Sequence, residues 1–179
     1  LPVQILTICG SLRTRSSNLA LLEAVEQLAP VGIKISNYRD IAELPHFNPD
    51  LDLKDELPIQ ARNLRNQVAE ADGLLFAVPE YMHALPGSFK NALDWMVGCQ
   101  KFPGKPVALA HVNTRHSFAP AQLEEVLKTM AAEIIQEAGF NLGYTTNQID
   151  KEMICCNDEH VATIKRALRV FQDEILHRG

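Results

Sequence analysis

The stretch from Val3 to Leu22, VQILTICGSLRTRSSNLALL, leaves the chain few folds to choose from. Val3 to Cys9 is a run of apolar and β-branched residues, the composition of a buried strand. Gly10 breaks the run, and Ser11, Arg13, Thr14, Arg15, Ser16, Ser17 and Asn18 crowd the turn behind it. From Asn18 onward the spacing becomes helical, with Leu21, Leu22, Val25, Leu28 and Ala29 on one face. A strand that enters a helix through such a turn outlines an anion site. The first N–H groups of a helix lack intrahelical acceptors, and the macrodipole favours negative charge there. Ser11, Ser16 and Ser17 add hydroxyl donors, Asn18 an amide, and Arg13 a charged fork that suits phosphate oxygens. The loop has neither the Gly-x-Gly-x-x-Gly of dinucleotide folds nor the Gly-Lys-Ser/Thr of P-loops. A plain helix cap at Ser16 or Ser17 accounts for the same hydroxyls, so both readings stand at this point.

The rest of the chain repeats the alternation of apolar run and helical pattern. Gly32 to Asn37 reads as a second strand, Gly73 to Val78 as the most apolar and central one, and Lys105 to Val112 as a fourth. Between them lie helical stripes: Leu57, Ala61, Leu64 and Val68 behind Pro58, and Phe89, Ala92, Leu93, Met96 and Val97 after Gly87. A further helix spans about Ala119 to Met130. The last one, capped by Asn157 or Asp158, carries Val161, Ile164, Leu168, Phe171 and Ile175. AAEIIQEAGF suits either a longer helix or a fifth strand. Trp95 points away from the stripe of its helix, which predicts an exposed residue or a subunit contact. The segment Tyr38 to Leu57 reads as a long polar loop and a candidate wall for a ligand.

This order predicts parallel βαβ units in one doubly wound α/β domain over residues 1–179. In such sheets ligands bind beyond the carboxyl ends of the strands, where loops 10–18, 79–87 and 113–119 all fall. A net charge of −5 argues against nucleic acid or an anionic membrane as partner. No apolar run approaches a membrane span, and no signal-peptide pattern is present. Cys9, Cys99, Cys155 and Cys156 lack C-x-x-C spacing, so reduced thiols and a cytoplasmic location are expected. Cys9, inside a strand, reads as a small core residue. No clustered ligands suggest a metal, and no paired carboxylates suggest hydrolysis.

GSLRTRSSN at 10–18, LPHFNPD at 44–50 and PEYMHALPGSFKNALDW at 79–95 resemble the NADPH-dependent FMN reductase family. This flavodoxin-like group includes quinone, chromate and azo reductases. The resemblance implies a five-stranded parallel sheet with helices on both faces, its fifth strand near Ile134-Ile135. It implies that Ser11, Arg13, Ser16 and Asn18, with Ser17 beside them, hold the phosphate of FMN. It also implies that Pro79, Glu80 and Tyr81 line the isoalloxazine ring, chiefly through their backbone, with Met82, His83, Asn113 and Thr114 close by. Hydride would pass from NADPH or NADH to flavin N5 and on to a quinone, azo or metal-oxyanion acceptor, in a ping-pong cycle without a catalytic side chain. A homodimer or homotetramer is implied as well. Met82 stands where the family usually has Asn, and His83 and Ala84 where Gly and Ser are common. A non-enzymatic electron carrier and a flavin-free binding protein remain rival readings of the same scaffold.

Overall fold

The apolar runs pair as parallel strands in a computed structural model that describes residues 1–53, 55–113 and 118–178. The strands are β1 (Val3–Cys9), β2 (Ile33–Tyr38), β3 (Gly73–Ala77), β4 (Pro106–Asn113), β5 (Glu133–Ile134) and β6 (Phe140–Tyr144). Their order is β2-β1-β3-β4-β5, with β6 also paired to β4. This is the doubly wound, flavodoxin-like arrangement, and the chain reverses direction of winding between β1 and β3.

The fifth position differs from the single strand expected there. Val107 of β4 pairs with Ile134, whereas Ala110 pairs with Phe140, so β5 and β6 share one edge of β4. A 3-10 turn at Gln136–Ala138 separates them. The fifth strand is therefore one strand split in two.

Among the described residues, six helices cover the sheet: α1 (Ser17–Leu28), α2 (Ile59–Glu70), α3 (Gly87–Met96), α4 (Phe118–Thr129), α5 (Lys151–Cys155) and α6 (Asp158–Leu176). Alternation along the strands divides the core between the two faces. Leu6, Ile8, Leu74, Phe76, Val107 and Leu109 meet α2, α3 and α4 on one side. Ile5, Cys9, Leu75, Ala77, Ala108 and Ala110 meet α1, α5 and α6 on the other. Burial on both faces explains why these strands read as nearly unbroken apolar runs. Among the described residues, no helix is long and apolar enough to cross a membrane.

Trp95 is not at the surface. It is fully buried, and its indole N–H donates to the Pro45 carbonyl at 2.8 Å. Asn91 donates to the same carbonyl at 3.0 Å and accepts from the Phe47 amide at 2.7 Å. The Phe47 ring meets Trp95 edge-on, 5.0 Å between centroids. Arg65 of α2 completes the lashing, paired with Asp52 at 2.7 Å and donating to the Trp95 carbonyl at 2.7 Å. The segment expected as a ligand wall is thus a strap over α2 and α3, and Trp95 is its anchor rather than a subunit contact.

Where the strap leaves β2, burial and then the nearby Asp40 carboxylate push the Tyr38 phenol up to about 12, from an ordinary 10.0. The folded protein keeps this proton where the unfolded chain has released it. Stability present below pH 10 is therefore lost as pH rises toward 12. Thermal melts of the wild type should lose more stability across that window than melts of Tyr38→Phe. Parallel slopes for the two proteins would contradict this.

Candidate functional site

The loops at the carboxyl ends of β1 and β3 lie against each other. Gly10 donates to the Ala77 carbonyl at 2.9 Å. A Cβ on Gly10 would stand 2.8 Å from Cγ1 of Val78 and 3.2 Å from Cδ of Pro79, so only glycine permits the approach. Ser16 caps α1, its side chain accepting from the Leu19 amide at 3.4 Å, and so the cap reading holds for that residue. It does not account for the next two. Ser17 and Asn18 are each 8% exposed, and no hydrogen bond among the described residues uses either side chain. Their polar atoms are not among the buried unsatisfied ones, so they keep contact with solvent at a helix start, where hydroxyl and amide groups can meet an anion.

Ser11 accepts from the Arg13 amide at 3.3 Å, and its hydroxyl lies 3.4 Å from that of Tyr81, joining the two loops. The Arg13 and Arg15 side chains are exposed and meet no carboxylate among the described residues. They border a cleft of about 830 Å³ that Ser16, Asn147, Gln148 and Lys151 also line. Cys9 is buried, donates weakly to the Ser11 carbonyl at 3.7 Å, and burial pushes its thiol up, as befits a core residue. Of the expected phosphate ligands, Ser16, Ser17 and Asn18 sit at the start of α1, Arg13 shares the cleft with Ser16, and Ser11 faces Tyr81 of the second loop.

In the second loop Pro79 is buried, while Tyr81, Met82 and His83 are exposed. Tyr81 and Ala84 exchange two backbone hydrogen bonds of 3.0 Å around a two-residue turn. Met82 has φ 51° and His83 φ 58°, both left-handed, which makes the turn type I′. Side chains other than Gly, Asn and Asp resist this region at a cost of about 1–2 kcal/mol per residue. The Asn and Gly usual in the resembled family suit that backbone, so their absence here is first a matter of turn strain. Met82 itself is 98% exposed.

Glu80 does more than the sequence suggested. Its carboxylate accepts from the Phe118 and Ala119 amides at 2.8 and 2.9 Å, at the N-terminus of α4. Gln122, one turn on, accepts from the Leu85 amide at 3.1 Å and donates to the His83 carbonyl at 3.3 Å. The His83 ring stacks on Phe118 at 4.5 Å. No local signal marks Gln122, because its partners lie 37 and 39 residues away. In the third loop Asn113 is buried, donates to Asn147 at 3.1 Å and accepts from Asn141 at 3.1 Å, tying β4 to β6 and its following loop. Thr114, with Arg115 and His116, lies outside the described residues.

Comparison with known proteins bears on the family and the fold. Residues 3–147 match the family model described as NADPH-dependent FMN reductase. An NAD(P)H-dependent FMN reductase of Pseudomonas aeruginosa is 31% identical over 175 residues, covering 95% of this chain and 94% of the relative. A quinone reductase of Escherichia coli is 28% identical over 156 residues, covering 84% and 82%. Among solved structures, FerB, a flavoenzyme NAD(P)H:(acceptor) oxidoreductase from Paracoccus denitrificans, superposes with a TM-score of 0.81 at 23% identity over 99% of both chains.

Proposed function

This chain belongs to the NADPH-dependent FMN reductase family, and we propose that it passes electrons from NAD(P)H, by way of bound FMN, to a small quinone-like acceptor. The observation that carries the phosphate end of this reading is that Ser17 and Asn18, in the first turn of α1, leave their side-chain polar groups uncommitted among the described residues and open to solvent. The donor set fits a phosphate monoester: hydroxyls from Ser11, Ser16 and Ser17, the Asn18 amide, and the guanidinium of Arg13, which pairs with no carboxylate among the described residues. Bound FMN supplies a two-electron carrier between nicotinamide and acceptor, chemistry no side chain here provides.

The protein's part is binding and orientation. Glu80 spends its carboxylate on α4, which leaves the backbone of Pro79, Glu80 and Tyr81 to meet the flavin ring. Exposed Tyr81 and Met82 offer an apolar surface beside it, suited to flat aromatic reactants. One open face shared by reductant and acceptor would have them bind in turn. The quinone class is chosen because a relative over most of the chain is named a quinone reductase.

Initial rates of NADPH oxidation by the FMN-loaded protein test this, with a benzoquinone, an azo dye and chromate as acceptors. The quinone should give the highest kcat/KM, and double-reciprocal plots should be parallel. Converging lines would exclude alternate binding. Turnover with azo dye or chromate but not with quinone would overturn the acceptor class.

A further inference from the structure

We propose that Gln122, together with Glu80, clamps the strained Tyr81–Ala84 turn onto α4 and thereby positions the ring end of the flavin site. The inference rests on the flavin reading above. Its structural half stands on five contacts and two backbone angles.

Consecutive left-handed residues persist without glycine only where their surroundings over-determine them. Met82 supplies no restraint, since its side chain is almost wholly in solvent. The restraints come from α4. The Gln122 amide grips the turn on both sides, at the His83 carbonyl and the Leu85 amide. The His83 ring lies on Phe118, the first residue of the helix, with an interplanar angle of 16°. The Glu80 carboxylate fixes the chain just before the turn to the same helix start. A turn of Asn and Gly adopts this geometry unaided. The sequence Met-His does not, and Gln122 makes up the difference. Gln122 is thus a positioning residue that acts through the turn, and its importance depends on what occupies positions 82 and 83.

That dependence is the test. Gln122→Leu is compared with wild type in two backgrounds, the native turn and Met82→Asn/His83→Gly, each measured in the full chain. The first readout is amide exchange at Tyr81 and Ala84 without flavin, since neither amide bonds to Gln122. The second is affinity for FMN and for riboflavin. In the native turn, Gln122→Leu should speed exchange by about tenfold and weaken both flavins equally, by roughly 3–10-fold, the size of a neutral hydrogen bond. In the Asn-Gly background both effects should shrink to within about twofold. Should Gln122→Leu not fold, Gln122→Glu replaces it, retaining the acceptor for Leu85 and losing the donor to His83. Unchanged exchange in the native turn overturns the clamp. An equal loss in both backgrounds overturns the coupling to turn strain, and a loss confined to FMN overturns the placement at the ring. If the wild type binds neither flavin, the flavin reading and the positioning claim both fall, while the exchange data still report whether the turn is clamped.

Discussion

Trp95→Ala should cost about 3–5 kcal/mol of folding stability, the range for deleting a large buried aromatic. The residue is fully buried, its ring packs edge-on against Phe47, and its N–H is satisfied by Pro45. The substitution removes all three features at once and leaves a void between strap and helix. Trp95→Phe keeps most of the packing and loses the hydrogen bond, so it should fall between wild type and alanine. Denaturant unfolding of the three proteins gives the comparison. If Trp95→Ala changed the assembly state while leaving stability within about 0.5 kcal/mol, a typical surface effect, the anchor role would be wrong and a subunit contact right.

Arg13→Ala should weaken FMN by roughly 10–100-fold, the loss of one charge-assisted hydrogen bond of about 1.5–3 kcal/mol. Riboflavin, which lacks the phosphate, should be nearly indifferent. This selectivity sets Arg13 apart from Gln122, whose loss should weaken both flavins alike. Because Arg13 is exposed, the wild-type preference for FMN should also narrow with added salt. Equal weakening of FMN and riboflavin would remove Arg13 from the phosphate site.

The two ends of the site were legible to different degrees. The phosphate end is local: strand, turn, hydroxyls and helix lie within residues 3–22, and of the two caps that residue type allowed, Ser16 and Ser17, the structure uses Ser16. The alternation of strand and helix was readable for the same reason, since each strand and its following helix are neighbours in sequence. The ring end depends on partners far along the chain. The carboxylate of Glu80 reaches 38 and 39 residues ahead to α4, and nothing near Glu80 announces it. Met82 stood out in sequence as a departure at the flavin ring. Its φ of 51° shows that the departure acts on the backbone of a tight turn.

Trp95 was misread because a helical wheel sees one partner for a helix. Of the expected stripe, Phe89, Ala92, Leu93 and Met96 join the core beside the sheet and Val97, past the end of α3, is exposed, but α3 is covered a second time by a strap 50 residues earlier. The short helix α5 and the strand β6 were missed for a simpler reason. Five residues carry too little periodicity to register, and FNLGY alternates apolar and polar positions only briefly before Gly143.

The central claim is that this chain holds FMN and turns over through it. An anaerobic spectrum tests it most directly, with one equivalent of FMN added to the protein, then NADPH, then a benzoquinone. The account predicts a perturbed flavin band on binding, bleaching with NADPH, and full return with quinone. A flavin band identical to that of free FMN would contradict binding, and bound flavin that NADPH leaves unbleached would make the protein an electron carrier instead.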